Sequence, residues 1–196
     1  LKYNKYFLLS LGVIALDQIV KLLVYFNMYI GEEFPVFPGI DFFKIHYTIN
    51  PGMAFGWEIG GEYGKLFLTL FRLVAMVAIS WYLIKLAKKG SHPGLLWCIA
   101  LILGGAIGNV VDSTFYGVFL EGNVIENSPT PWFHGQVIDM FYIDICYCYF
   151  PEWIPFFGGQ RHALWPIFNI ADSSIFIGVA IILIRQKKFF KEKNQD

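Results

Sequence analysis

The chain has 196 residues, of which 56% are hydrophobic, 19% aromatic and only 15% charged, with a mean hydropathy of +0.52. A soluble domain carries about 25% charged residues, so this composition excludes an ordinary soluble fold and indicates a membrane protein. Net charge is zero, and no basic stripe suggests a nucleic-acid partner.

Four stretches reach the roughly 20 apolar residues that a membrane-crossing helix needs: 6–26, 65–87, 95–115 and 164–184. The first is not a cleaved leader, because Asp17, Gln18 and Lys21 interrupt it and no small-residue cleavage site follows. Residues 1–196 therefore read as one membrane-embedded domain, an all-α polytopic protein with four transmembrane helices. Between the first two spans, Gly31, Pro35, Pro38, Gly39, Pro51 and Gly52 break the chain, and the β-branched and aromatic residues 42–49 suit a strand or hairpin. That forms a small extracytoplasmic β-rich segment. The connection 116–163 is rich in aromatics, among them Trp132, Phe141, Tyr142, Trp153 and Phe157. Such rings settle at headgroup depth, so this is an interfacial aromatic loop and, with glycines at 117, 122, 135, 158 and 159, a candidate lid.

Ten of the 15 basic residues precede the first span, close the second or follow the fourth. The two longer loops are acidic, balanced only by Lys44 and Arg161. By the positive-inside rule both termini are cytoplasmic and both long loops lie outside. The cysteines at 98, 146 and 148 lack the partners of a zinc set and read as structural or incidental.

Several clusters could carry chemistry. Asp17 and Lys21, four apart, share a helix face and either neutralise each other and lock this helix to a neighbour, or orient substrate or tune a nearby acid. Asn50-Pro51-Gly52 forms a tight turn whose amide could meet a peptide carbonyl. Gly104-Gly105-Ala106-Ile107-Gly108 permits close helix contact, and Asn109 and Asp112 just beyond it must face protein or water. Asn169 and Asp172 open the fourth span, and Asp139 ends the apolar run Val137-Ile138. Asp172 alone could be a helix-start carboxylate favoured by the helix dipole. Together, Asp139 and Asp172 can share one proton, so that one acts as general base on a water and the other as general acid. A carboxylate in a membrane segment is costly and by default functional. The reading is an aspartyl hydrolase at a membrane surface. The alternative is a non-enzymatic transporter or assembly factor with a carboxylate proton or ion site.

Asp17 with Lys21, Asn50-Pro51-Gly52-Met53-Ala54-Phe55, Gly104 to Asp112, Val137-Ile138-Asp139 and Phe168-Asn169-Ile170-Ala171-Asp172-Ser173 occur in the order and four-span setting of type II signal peptidase, the bacterial lipoprotein signal peptidase family, which this chain resembles. The resemblance implies an intramembrane aspartic endopeptidase of the bacterial cytoplasmic (inner) membrane, its active site near the outer face. It would remove signal peptides from diacylglyceryl-modified prolipoproteins, cutting before the lipidated cysteine, as a monomer among membrane lipids and without metal or cofactor. It assigns catalysis to Asp139 and Asp172. Asp17, Lys21, Asn50, Gly52, Gly108, Asn109, Asp112 and Asn169 would bind substrate or support the pair. Two features depart from the family pattern. Ser113 stands where the family usually has arginine, so its charge must be absent or supplied elsewhere, as by Arg161. The 26 residues that lie between Asp112 and Asp139, and the 32 between Asp139 and Asp172, also make these segments long.

Overall fold

The computed structural model describes residues 3–51, 63–145, 147–149, 151–153, 159, 161–163 and 165–190, with side chains undescribed at 147–149 and 161–163. Helix α1 (Asn4–Asn27) leads into strands β1 (Glu33–Phe37) and β2 (Ile40–Asn50). Helices α2 (Gly64–Lys89) and α3 (Pro93–Val111) follow; α3 runs on into a π-helical turn, Asp112–Tyr116, and a last short turn, α4 (Gly117–Phe119). Then come β3 (Val137–Ile143), the short strands β4 (Tyr147–Tyr149) and β5 (Arg161–Ala163), and helix α5 (Ile170–Phe189).

Among the described residues, α1, α2 and the stretch Pro93–Phe119 are long and apolar enough to cross a membrane. Helix α5 has 20 residues but carries Asp172 in its first turn and Lys187 and Lys188 in its last. The expected fourth span at 164–184 is corrected at its start. Apolarity alone extended it back to Leu164, whereas Phe168 is paired by its backbone to β3 and the helix begins only at Ile170.

Helix α3 is the centre of the bundle, and its glycines explain why. A side chain at Gly104 would strike Ser10 and Val13 of α1. One at Gly105 would strike the Ala171 carbonyl of α5, so α1 and α5 close on α3 from two sides. The end opposite the sheet is pinned by rings: Tyr6 meets Trp97 at 4.7 Å and His92 meets Phe189 at 5.0 Å. Pro93 at the first position of α3 and the Gly90 cap of α2, with φ +73°, make the tight connection there.

The expected hairpin is present, as β1 pairs antiparallel with β2. The sheet continues in the order β1-β2-β3. Asp139 therefore lies on a strand and not on a loop. Val137, Ile138, Asp139 and Met140 are all buried, so this strand lacks the polar–apolar alternation that marks a half-exposed one. Ile138 and Met140 pack with Val24, Tyr47, Tyr116 and Leu120, which fixes the sheet to the ends of α1 and α3. Of the connection read as an aromatic loop, residues 120–136 fold back on the π-turn. Phe133 and Gly135 donate their N–H groups to the carbonyls of Thr114 and Ser113 at 3.3 and 3.1 Å. Side chains at Gly117 and Gly135 would collide with the carbonyl oxygens of Pro131 and Asp112. Those two glycines serve close packing, not hinging. Gly52, Cys146 and Gly158 lie outside the described residues.

Candidate active site

Two backbone arrangements bring distant carboxylates together. In the β2–β3 register Thr48 faces Asp139 and Asn50 faces Val137, so Asn50 and Asp139 sit diagonally on one side of the sheet. The Asn50 amide donates to Asp139 Oδ2 at 3.0 Å. On the other edge of β3, Phe168 exchanges backbone hydrogen bonds with Phe141 at 2.8 and 3.0 Å, which delivers Asn169 to the same carboxylate. Asn169 Nδ2 donates to Asp139 Oδ1 at 2.6 Å.

Asn169 is also the N-cap of α5. Its side-chain oxygen accepts the N–H of Asp172 at 2.9 Å, and Asp172 Oδ2 accepts the N–H of Asn169 at 3.4 Å. This reciprocal box satisfies helix-start donors that have no partner within the helix. It also fixes Asp172 relative to Asp139 through one fully buried side chain. Asn109, at the end of α3, completes the ring: its Nδ2 donates to Asp172 Oδ1 at 2.8 Å, while its Oδ1 accepts from Asn169 at 3.2 Å and from Lys21 at 2.9 Å. Asp139 is 2% exposed, and Asp172 is half-buried. Burial and, next, the charge of Asp172 push the Asp139 carboxyl up to about 7, against the hydrogen bonds from Asn50 and Asn169 and the charge of Lys21. A carboxyl that exchanges its proton near neutrality suits general acid–base work.

Behind this ring lies an ionic support. Lys21 Nζ is 2.8 Å from Asp17 Oδ2 and 2.6 Å from Asp112 Oδ2, with no side-chain exposure in any of the three. Asp17 Oδ1 accepts the N–H of Ala171 at 2.8 Å, so it also holds the start of α5. Asp17 and Lys21 do lock α1 to its neighbours, and they do so within one residue of the ring. Gly108 is required here, since a side chain would come within 2.7 Å of Asp17 Oδ2.

Four participants escaped the sequence reading. Gln18 donates to Asp112 Oδ1 at 2.8 Å and accepts from the Tyr116 hydroxyl at 2.9 Å. Lys65 donates to the Pro51 carbonyl at 2.6 Å and to Ser113 Oγ at 3.2 Å; Arg72 Nη1 donates to the same hydroxyl at 3.4 Å. Lys65 and Arg72 are seven apart, on one face of an apolar helix, and ionisable residues in such a helix are a signal in themselves. The charge at Ser113 thus comes from α2. Arg161 lies on β5 opposite Tyr149, and its side chain is outside the described set.

A family model described as signal peptidase (SPase) II matches residues 9–188. The chain is 42% identical over 195 residues to the lipoprotein signal peptidase of Amoebophilus asiaticus, covering 99% of this chain and 82% of that one. It is 42% identical over 182 residues to that of Porphyromonas gingivalis, covering 88% and 78%. A solved structure of a bacterial membrane enzyme superimposes with a TM-score of 0.62 at 27% identity, covering 94% of each chain.

Proposed function

The chain belongs to the signal peptidase II family, and from that premise we propose that it is an aspartic endopeptidase cutting signal peptides from diacylglyceryl-modified prolipoproteins at Asp139 and Asp172. The observation that carries the assignment is the Asn169 side chain, which hydrogen-bonds Asp139 and caps the helix turn bearing Asp172. Family membership gives no support to the transporter alternative.

The pair shares one proton near neutral pH, held by Asp139. Asp172 removes a proton from a water whose oxygen attacks the scissile carbonyl, and Asp139 gives its proton to the carbonyl oxygen. In the collapse the C–N bond breaks, the leaving amine takes the proton from Asp172, and a hydroxyl of the diol returns one to Asp139. Asn109 and Asn169 keep both carboxylates in position, and Asn50 holds the outer side of Asp139. Asp17, Lys21, Asp112 and Gly108 form the rigid base; Gly52 would belong to the substrate-facing turn after Asn50.

Charge placement supports the topology. The basic ends of α2 and α5 and the start of α1 sit together, opposite the sheet, so both termini are cytoplasmic and the site is near the outer face of the bacterial cytoplasmic membrane. Helix α5 then serves as a fourth span, and the enzyme works as a monomer. A diacylglyceryl anchor in the lipid fixes the depth of the scissile bond and turns lateral diffusion into positioning. Purified protein in detergent, given a precursor with and without the diacylglyceryl group, should shorten only the lipidated one. Equal cleavage of both, or of neither, contradicts the proposal.

A further inference from the structure

The side of the sheet that carries Asp139 continues past the proton-transfer site as an apolar surface. Opposed residues in the β2–β3 register share a side, so Asn50, Thr48 and Asp139 lie with the pair Ile45–Phe141 and with Phe43–Ile143. Phe34 of β1, opposite Ile45, extends that side to the third strand. Phe43 stacks on Phe141 with ring centroids 6.1 Å apart, and Phe141 meets Phe168 at 5.7 Å. The three rings form a row that begins next to Asn169. Phe43 and Phe141 are half-buried and Phe34 is 45% exposed, so open apolar surface lies beside the carboxyl pair. Surface of that kind next to reacting groups calls for an occupant.

The opposite side of the same sheet shows which way the strand runs. Ile138 and Met140 pack on the ends of α1 and α3. Further along, Lys44 pairs with Glu33 at 3.2 Å and with Asp144 at 3.0 Å, and His46 pairs with Glu33 at 2.8 Å. Charged groups at that end need water, so β3 leaves the lipid-facing bundle as it passes from Asp139 to Ile143. A lipidated precursor places its scissile bond at Asp139 and its acyl chains in the bilayer, and the residues after the cysteine lead outward over the sheet. An extended chain advances about 3.3 Å per residue. The second residue past the scissile bond therefore falls two strand positions beyond Asp139, at Phe141. Successive side chains of an extended chain point opposite ways. With the lipidated cysteine turned to the bilayer, the residue after it is turned onto the rings.

We infer that the Phe43–Phe141–Phe168 row is the subsite for the residue that follows the lipidated cysteine, and that it selects an apolar side chain there. Phe43 is the specificity-determining member. Phe141 and Phe168 also hold Asn169 in place through their paired backbones, whereas Phe43 stands on β2, away from the hydrogen-bonded ring around the two carboxyls. The inference deepens the proposed function and rests on the assignment of Asp139 to the cleavage.

The test compares kcat/KM in detergent for diacylglyceryl-modified precursors that differ only in the residue after the cysteine: Phe, Leu, Ser or Asn. The wild type should favour the Phe and Leu precursors over the Ser and Asn ones by about tenfold, as a few carbons moved from water onto a half-open apolar surface dictate. Phe43→Thr, which keeps a good strand former, should lose most of that preference while cutting the Ser precursor as the wild type does. Phe43→Leu should retain it. Should Phe43→Thr not fold, Phe34→Thr, at the exposed end of the same surface, takes its place and should weaken the preference. Equal values for all four precursors in the wild type overturn the inference, and so does an undiminished preference in the folded threonine variant. If the wild type cuts none of the four, the proposed function itself fails; if it cuts all four alike, only the subsite falls.

Discussion

Asn169 donates to Asp139 Oδ1 at 2.6 Å from the N-cap of the helix whose third residue is Asp172. One side chain therefore does two jobs: it starts α5, and it aligns the carboxyl of β3 with that of α5. Helix capping and site geometry cannot be varied independently here.

Asn169→Ala should separate these jobs by size. Loss of a capping side chain costs about 1 kcal/mol of stability, which lowers the thermal midpoint in detergent but leaves the protein folded. Activity should fall much further, by about 100-fold, because misplaced reacting groups are heavily penalised. Comparable small losses in both midpoint and kcat would reduce Asn169 to a cap.

Lys21→Met removes the cation that, among the described residues, pairs with both Asp17 and Asp112. Breaking a buried pair from one side costs about 3–5 kcal/mol, so the variant should be strongly destabilised or recovered only in poor yield. Adding Asp17→Asn and Asp112→Asn leaves no buried charge uncompensated in the triad and should restore most of the lost thermal stability. A triple variant no more stable than Lys21→Met would show that the triad is not held by charge balance.

Asp139 also links stability to pH. Its folded-state carboxyl is pushed from 3.8 up to about 7 by burial and the charge of Asp172. Between those values the folded state holds a proton that the unfolded chain has released, so stability from this group is present at low pH and lost as pH rises toward and through 7. Asp139→Asn cannot ionise and escapes that loss. Its thermal midpoint relative to wild type should rise as pH goes from 4 to 8. A difference independent of pH would place the proton elsewhere.

Gly135→Ala should disturb the site from a distance, because its methyl group would press on the Asp112 carbonyl in the π-turn. That turn exposes the Ser113 and Thr114 carbonyls to the N–H groups of Gly135 and Phe133. Lower thermal stability and lower activity should appear together, with an unshifted pH profile. A variant with wild-type stability would mean that the loop yields without disturbing the turn.

The acids and amides of the site were legible in the sequence because each is a polar residue beside an apolar run, where solvation makes it conspicuous. Asp17, Lys21, Asn109, Asp112, Asn169 and Asp172 are all joined as that cost suggests. Asp139 was found, but not its strand, because a strand buried on both faces loses the period that identifies it. The stretch 165–168 reads as helix for a similar reason: hydropathy cannot tell a membrane span from a segment that leads into a backbone pairing with a sheet, as Phe168 does with Phe141. Lys65 and Arg72 were present as charges but had no evident partner in the sequence. Their meeting at Ser113 depends on the crossing of α2 with the end of α3 and on the π-turn, neither of which leaves a local pattern.

Whether Asp139 and Asp172 are both required for peptide cleavage is decided by turnover of a lipidated precursor by purified Asp139→Asn and Asp172→Asn, each first shown to be folded by its thermal transition in detergent. Neither carboxyl can supply both proton transfers alone, so each folded variant should lose at least about 1000-fold in kcat, toward the upper part of the roughly 100- to 10,000-fold range attributed to one acid–base group. Cleavage near the wild-type rate by either folded variant would remove that carboxyl from the chemistry.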